Sequence, residues 1–283
     1  MKIKISAEST IDLSKDLLKK FDITTIPYQI TLGEDVYYDG EITTDEIIDF
    51  ATRTKTLPKT SAINEFAYTE YFENLLKDND CVIHFTLSSE LSSACQNAKK
   101  SAETFNGKVI VIDSKSLSTG IALLAISAKK LLDEGESVDK IVERVNARVP
   151  FVNASFELKR LDFLHKGGRC SSLALLGANI FNIHPQIVVK NGKMVAGKKY
   201  RGSFSKVVDN YCRDTLEQFN NPDLDTAFVT YTTAPQETID LAKRYLEETG
   251  FKNIYVTRAG GTVTSHCGEN TLGILYINDG GKY

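Results

Sequence analysis

The chain has 283 residues, of which 42% are hydrophobic and 25% are charged, with 34 Lys and Arg against 37 Asp and Glu. This composition is typical of a globular protein and excludes collagen-like, coiled-coil and largely disordered chains. The net charge of −3 argues against nucleic-acid binding through bulk electrostatics. Because single cores stop growing near this length, we expect two packed domains.

Cysteine usage and hydropathy bear on the cellular compartment. The five cysteines form no CxxC pair, and their odd number argues against a disulfide framework. The first residues lack an apolar run of signal-peptide length, and no stretch approaches the roughly 20 apolar residues that span a bilayer. These features predict a cytoplasmic protein without an integral membrane segment.

Short apolar strands alternate with amphipathic helices in the first half of the chain. Residues 81–87 and 108–112 are nearly continuously apolar, as is typical of parallel strands covered on both faces. Helices are predicted over about 119–133 and 138–148. This order predicts an α/β domain with a mostly parallel sheet, flanking helices and right-handed crossovers.

The composition changes near residue 150, and we place the domain boundary there, giving domains 1–150 and 151–283. The second domain is also predicted to be α/β, and the last strand, 272–277, is compatible with either sheet. Its other predicted elements are a strand at 151–157, short helices within 158–183, a hairpin over 185–201 with Asn191-Gly192 as its turn, a helix at 204–219, a strand at 226–232, a helix at 235–249 and a strand at 253–258.

Common nucleotide, metal and hydrolase signatures are missing from the sequence. It contains no GxGxxG after a strand, no GxxxxGK[ST], no HExxH and no GxSxG. The four histidines share no ligand spacing with the cysteines. We therefore predict neither a nucleotide cofactor nor a metal.

Four polar clusters lie at strand ends or in loops between helices, where open α/β sheets place ligand sites. They are residues 59–62 (KTSA), 87–94 (LSSELSSA), 165–169 (HKGGR) and 259–268 (AGGTVTSHCG). Hydroxyls near a helix start favour an anion, and an arginine after two glycines can reach a carboxylate or phosphate. Each cluster also has an ordinary structural interpretation as a helix cap, a turn or a buried histidine.

Taken in order, these clusters resemble the DegV family, which includes the fatty-acid-binding, lipid-carrier subunit of the bacterial fatty acid kinase. The resemblance covers essentially the whole chain. Its most specific match is residues 161–169, which are similar to Leu-x-x-Leu-x-Lys-Gly-Gly-Arg. Residues 7–13 resemble the family's opening Asp-Ser-Thr-x-Asp-Leu, with Glu8 in place of the usual aspartate.

Three further segments carry the resemblance. Thr60-Ser61 matches the family's Thr-Ser-x-Pro, residues 89–98 look like Ser-x-Leu-Ser-Gly-Thr-Tyr-x-x-Ala, and residues 266–273 look like His-x-Gly-Pro-Gly-x-x-Gly. Positions at which this chain departs from those patterns are Ile63, Ser93, Ala94, Glu269 and Asn270.

The resemblance implies a protein that holds one long-chain fatty acid, with its acyl chain in the second domain and its carboxylate at the domain interface. Thr60, Ser92 and His266 would bind the carboxylate, with Ser61 as a second candidate and Arg169 nearby. The protein would present this ligand, without a cofactor, to a separate ATP-dependent kinase that forms the acyl-phosphate for lipid synthesis. Transient contact with a membrane is compatible with such a role.

Apolar residues between 156 and 188 are abundant enough to line an acyl cavity, although they are equally compatible with an ordinary core. They are Phe156, Leu158, Leu161, Phe163, Leu164, Leu173, Leu175, Leu176, Ile180, Phe181, Ile183, Ile187 and Val188.

Residues 198–201 resemble the family's basic Lys-x-Arg after the hairpin and form the densest basic run of a slightly acidic chain. We expect Lys198 and Arg201, together with Lys199, to help dock an acidic surface of the kinase. Their ordinary interpretation is a solvated hairpin edge, where lysines discourage pairing between sheets.

A serine hydrolase is the alternative function. In it, Ser92 or Ser61, activated by His266, would attack an acyl substrate. A hydrolase also needs an orienting acid and oxyanion donors in one constellation, and the sequence offers no motif for the acid.

Overall fold

A computed structural model of the protein describes residues 1–170 and 183–283. Within these ranges the strands are β1 (Ile3–Glu8), β2 (Ile23–Ile26), β3 (Gln29–Leu32), β4 (Asp35–Tyr38), β5 (Lys59–Ser61), β6 (Cys81–Thr86), β7 (Val109–Asp113), β8 (Val152–Leu158), β9 (His184–Lys190), β10 (Lys193–Tyr200), β11 (Thr226–Tyr231), β12 (Asn253–Arg258) and β13 (Thr271–Ile277). The α-helices are α1 (Lys15–Lys20), α2 (Thr44–Thr54), α3 (Glu65–Leu76), α4 (Ala94–Ala102), α5 (Thr119–Asp133), α6 (Val138–Arg148), α7 (Asp162–Lys166), α8 (Phe204–Gln218), α9 (Gln236–Thr249) and α10 (Gly261–Cys267).

The first half of the chain forms a parallel four-stranded sheet in the order β2-β1-β6-β7. Ile5 of β1 pairs with Ile23 on one side and with Ile83 on the other, and Ile83 pairs in turn with Ile110. All six residues of β6 are buried, as expected for a central strand covered on both faces. The predicted parallel sheet is confirmed.

The second half forms a mixed six-stranded sheet in the order β10-β9-β8-β13-β11-β12. β13 lies in its centre and is antiparallel to both β8 and β11, so the last strand joins this second sheet. Gly273 of β13 opposes Phe156, and a Cβ at this glycine would lie 2.5 Å from the carbonyl oxygen of Ser155. A larger residue would therefore force the two strands apart.

The predicted hairpin is formed by β9 and β10. Its turn residues Asn191 and Gly192 have φ angles of 51° and 81°, the left-handed conformation that Asn-Gly turns between antiparallel strands adopt. The Ser88 hydroxyl donates a 2.8 Å hydrogen bond to the carbonyl of Gly192. This bond holds the tip of the hairpin against the first half of the chain.

A third sheet, in the antiparallel order β4-β3-β5, was not predicted from the sequence. Its strands are only three or four residues long, and the residues of β4 are mostly exposed, so no periodic apolar pattern marks them. Thr60 of β5 pairs with Ile30 of β3, and this pairing holds the threonine at the wall of the cavity described below.

Helix α5 lies between the two larger sheets. It contacts β1 and β6 of the first sheet and β8, β11 and β13 of the second. Every residue from Thr119 to Ala128 is buried, which is expected for a helix that is apolar on nearly all sides. One hydrophobic cluster therefore includes Ile5 and Phe85 from the first sheet as well as Phe228 and Leu275 from the second.

The core around α5 is continuous across residue 150, and the domain boundary at that position stays a prediction. The strands of the four-stranded sheet all precede it, and those of the six-stranded sheet all follow it. In the described ranges, no helix has the length and apolar character needed to cross a membrane.

Replacing Leu124 of α5 with alanine should lower the free energy of unfolding by about 2–5 kcal/mol, because the side chain is fully buried in the shared cluster. Leu132→Ala, in the same helix but only partly buried, provides the matched control and should cost less. Urea unfolding followed by circular dichroism measures both. Equal losses would contradict the central position of α5.

Candidate functional site

A cavity lies between the two halves of the chain. Its empty space, including the part that is open to solvent, is about 590 Å³. Its polar lining includes Thr60, Ser92, Arg169 and His266. Its apolar lining includes Leu87, Leu91, Leu117, Met194, Val263 and Cys267. Four of the five predicted carboxylate-binding residues thus lie around one cavity.

Thr60 and His266 are in contact on the wall of the cavity. The Thr60 hydroxyl oxygen lies 2.7 Å from Nε2 of His266, although the two residues are 206 positions apart in the sequence. Ser61, the next residue of β5, is exposed and does not line the cavity, because successive side chains of a strand point to opposite faces. Thr60 is therefore the better placed residue of this motif.

His266 is neutral at physiological pH. Burial, together with the nearby positive charge of Arg169, lowers the pKa of this histidine to about 4. Its Nδ1 atom is buried and has no hydrogen-bond partner among the described residues. A neutral imidazole carries one N–H donor and one acceptor nitrogen, so the ring can hydrogen-bond a ligand without adding a charge.

The Lys-Gly-Gly-Arg segment passes close to the His266 ring at Gly167. A Cβ at Gly167 would lie 2.8 Å from Nδ1 of His266, so a residue with a side chain would displace the ring. Gly168 has a φ angle of 70°, which glycine adopts without strain. The exposed Arg169 donates a 2.6 Å hydrogen bond to the carbonyl of Gly167 at the cavity wall.

Ser92 lies in the loop before α4, on the wall of the same cavity. Its hydroxyl oxygen accepts a 3.2 Å hydrogen bond from the backbone N–H of Ala94 and lies 3.2 Å from the Tyr28 hydroxyl. Tyr28 also lines the cavity. This tyrosine was not singled out from the sequence, because nothing near it in the chain marks a site.

A buried carboxylate lies behind Tyr28. The Glu8 carboxylate accepts hydrogen bonds from the hydroxyls of Tyr28 at 3.1 Å and Tyr68 at 2.5 Å, and from the Leu87 backbone N–H at 2.7 Å. Burial outweighs these bonds and raises the pKa of Glu8 to about 7. The one sequence signal here was that Glu8 stands where the family pattern has aspartate.

Two further carboxylates hold the start of α10, the helix that carries His266. Asp12 accepts a 2.8 Å hydrogen bond from the Gly260 N–H, and Asp39 accepts bonds from the Gly261 and Thr262 N–H groups at 2.8 and 3.2 Å. These N–H groups have no partner within the helix, so the carboxylates satisfy them. Both aspartates come from the first half of the chain, which fixes α10 across the interface.

Two more cavities adjoin the first. An apolar one of about 330 Å³ shares Leu117, Val263 and Cys267 with it and extends toward Phe156 and Leu275 of the six-stranded sheet. A wider, open one of about 970 Å³ shares Thr60, Arg169 and His266 with it. Its lining contains four basic residues and, among those described, no acidic one. The basic residues are Lys55, Lys59, Lys166 and Arg169.

The apolar residues between 156 and 188 were compatible with a cavity lining or with an ordinary core. Of those that the structure describes, Phe156 alone lines one of the two apolar cavities. Leu158, Leu161, Leu164 and Ile187 are packed in one core cluster with Phe156 and with Leu117 of the cavity wall. Phe163 lines the basic cavity. Leu173, Leu175, Leu176, Ile180 and Phe181 lie outside the described residues.

The basic run after the hairpin is exposed and does not line these cavities. The ammonium group of Lys198 lies 3.1 Å from the Asp214 carboxylate. Lys199 and Arg201 are exposed. Arg201 follows β10 and lies seven residues beyond Met194 of the cavity wall, roughly 24 Å along the strand at about 3.4 Å per residue. Its role in docking stays a prediction.

Comparison with known proteins shows the family of the chain. The family model described as uncharacterised protein, DegV family, matches residues 2–279. A DegV domain-containing protein of Clostridium perfringens is 28% identical over 282 residues, covering 98% of this chain and 99% of the relative.

The structure described as fatty acid binding of a DegV family protein from Thermus thermophilus has a TM-score of 0.89 at 25% identity, covering 98% of this chain and all of that one. The stearic acid-binding protein from Eubacterium ventriosum gives 0.86 at 26%, covering 97% and 98%. The chain belongs to the DegV family, as its motifs predicted.

Proposed function

We propose that the protein binds one long-chain fatty acid. Its carboxylate would contact Thr60, Ser92 and His266, and its acyl chain would pass Leu117 and Val263 into the second apolar cavity. The observation that carries this proposal is a cavity lined both by the hydrogen-bonding side chains of Thr60, Ser92 and His266 and by apolar side chains, with a second, apolar cavity adjoining it. The described binding of fatty acid by the Thermus protein, and of stearic acid by the Eubacterium protein, supports the ligand class.

The two ends of such a ligand would contribute differently to affinity. Burying each methylene contributes about 0.8 kcal/mol, so a chain of about 16 carbons supplies roughly 11 kcal/mol before costs. Each hydrogen bond to the carboxylate contributes about 1.5–3 kcal/mol before desolvation is subtracted. The apolar cavities would therefore set most of the affinity, and the polar end would orient the ligand and select for acids.

The geometry does not favour the hydrolase alternative. Nε2 of His266 lies beside the Thr60 hydroxyl. The Ser92 hydroxyl contacts Tyr28 and the backbone N–H of Ala94 instead of a histidine. No carboxylate contacts Nδ1 of His266 among the described residues. A serine nucleophile needs a base within hydrogen-bond reach and a group that orients this base. We therefore propose a non-catalytic binding protein.

We further propose that the bound carboxylate is presented to a separate ATP-dependent kinase, which converts it to an acyl-phosphate. Thr60, Arg169 and His266 line both the apolar cavity and the open basic one, so a carboxylate held there would be reached from the basic side. Lysine and arginine side chains favour the approach of a phosphoryl group by neutralising its charge. This division of labour also suits a chain without a nucleotide motif.

Ser92→Ala and His266→Ala should each weaken fatty-acid binding by about 10- to 100-fold, which corresponds to losing one hydrogen bond to a charged group. Ser61→Ala is the matched control, because Ser61 is exposed and should leave the dissociation constant unchanged. Displacement of a fluorescent fatty acid measures binding, and circular dichroism verifies the fold. Unchanged affinities in both folded variants would contradict the headgroup assignment.

Arg201→Glu should slow acyl-phosphate formation in a reconstituted assay with the kinase and leave fatty-acid binding nearly unchanged, since the residue is remote from the cavity. Arg244→Glu makes the same charge change on the exposed side of α9 and should leave the rate unaltered. Full phosphorylation by the Arg201 variant at low ionic strength would exclude the docking role. Equal losses in binding and phosphorylation would place Arg201 in the fold or the lipid site instead.

A further inference from the structure

Three side chains connect the interior of the protein to the headgroup end of the cavity. The Tyr28 hydroxyl lies 3.1 Å from the Glu8 carboxylate and 3.2 Å from the Ser92 hydroxyl. Ser92 and Tyr28 line the cavity, whereas Glu8 is fully buried behind them. Thr10 and the Leu87 N–H also contact Glu8 from the cavity lining, but the Tyr28 hydroxyl is the group that joins Glu8 to Ser92.

Glu8 is a carboxylate without a cation to balance it. The titratable side chains that face it are Tyr28 and Tyr68, with Cys95 slightly farther away, and burial raises the pKa of all three. They are neutral at physiological pH, and no positively charged group contacts Glu8 among the described residues. A buried, unbalanced negative charge is costly, so Glu8 readily takes up a proton.

The single proton of the Tyr28 hydroxyl is what couples Glu8 to Ser92. When Glu8 is ionised, the tyrosine donates to it, because a carboxylate is the stronger acceptor. When Glu8 is neutral, it is a weaker acceptor for the Tyr28 hydroxyl proton, and Tyr28 can donate this proton to the Ser92 oxygen. The hydroxyl proton of Ser92 is then free to be donated to a ligand carboxylate. A neutral Glu8 also removes like-charge repulsion with that ligand.

We propose that Glu8 is a positioning residue of the headgroup site, and that binding of a fatty-acid carboxylate is coupled to proton uptake at Glu8 through Tyr28 and Ser92. This inference rests on the proposed function, since it requires Ser92 to hold the carboxylate. No bond other than those to the transferred proton forms or breaks, and the proton comes from solvent.

The sign of the pH dependence follows from the pKa of Glu8, which is about 7 in the ligand-free protein. Below about pH 7 Glu8 is already protonated, and affinity should be flat. Above it, binding must take up a proton, so affinity should fall by up to about tenfold per pH unit. His266, with a pKa of about 4, stays neutral throughout this range. Asp12, whose pKa burial raises to about 8, titrates nearby, but it contacts Ser118 and Gly260 rather than Ser92.

The test is the dissociation constant of radiolabelled palmitate for the full chain between about pH 6 and pH 9, in wild type and Glu8→Gln. We expect the wild-type affinity to fall above about pH 7 and the neutral Glu8→Gln variant to give a much flatter profile. Calorimetry in two buffers of different ionisation enthalpy should show proton uptake by wild type alone at about pH 8. If the dissociation constant changed with pH to the same extent in wild type and in Glu8→Gln, the proposal would be overturned.

Two tyrosine variants form a matched pair, because each removes one hydrogen bond to Glu8 and only one of them contacts Ser92. Tyr28→Phe should weaken palmitate binding at every pH. Tyr68→Phe should leave the affinity for palmitate at low pH unchanged. It should also raise the pH above which this affinity falls, because the Tyr68 hydrogen bond lowers the pKa of Glu8. An unshifted Tyr68→Phe profile would overturn the proposal even if Glu8→Gln failed to fold. No binding of palmitate by folded wild type at any pH would instead overturn the proposed function.

Discussion

The burial of α5 between two sheets is the constraint on which the rest of this structure depends. A helix that is apolar on nearly all sides must be covered on nearly all sides, and the chain does so with strands from both of its halves. The two halves consequently meet along a shared core rather than a flexible linker. Leu117, just before this helix, lies at the wall of both apolar cavities, and Ser118 at the wall of the smaller one, so the burial of α5 also positions part of the cavity wall.

The polar end of the site depends on contacts across that interface. α10 has only seven residues, and its first N–H groups are satisfied by Asp12 and Asp39 from the other half. A short helix has little stability of its own, so the carboxylates determine its position. Gly261 allows the close approach, because a Cβ there would lie 2.5 Å from Cδ1 of Ile30. His266 at the far end of α10 is thereby brought to Thr60, whose own strand is paired to β3.

The sequence could predict what depends on local pattern. The continuous apolar run of 81–87 indicated a buried parallel strand, and Asn191-Gly192 indicated a hairpin, because both signals are contained within a few residues. The resemblance to a known family brought Thr60, Ser92, Arg169 and His266 together before any geometry was known. The three short strands, the cavity walls and the Glu8–Tyr28–Tyr68 contacts could not be predicted, since they join residues that no local pattern relates. Glu8 and Tyr68, for example, are 60 positions apart.

The polar end is built from neutral groups around a place proposed for an anion. His266 is uncharged, Thr60 and Ser92 carry only hydroxyls, and Arg169, the one cation of the set, is exposed and partly committed to the Gly167 carbonyl. A buried cation would bind a carboxylate more strongly, but it would also lower the reactivity of that carboxylate and slow its release. In the proposed complex, hydroxyls and a neutral imidazole orient the carboxylate while most of the affinity stays with the acyl chain. In that proposed complex, the carboxylate would face the basic cavity, where the positive charges of the lysines lie and from which a phosphoryl donor would approach.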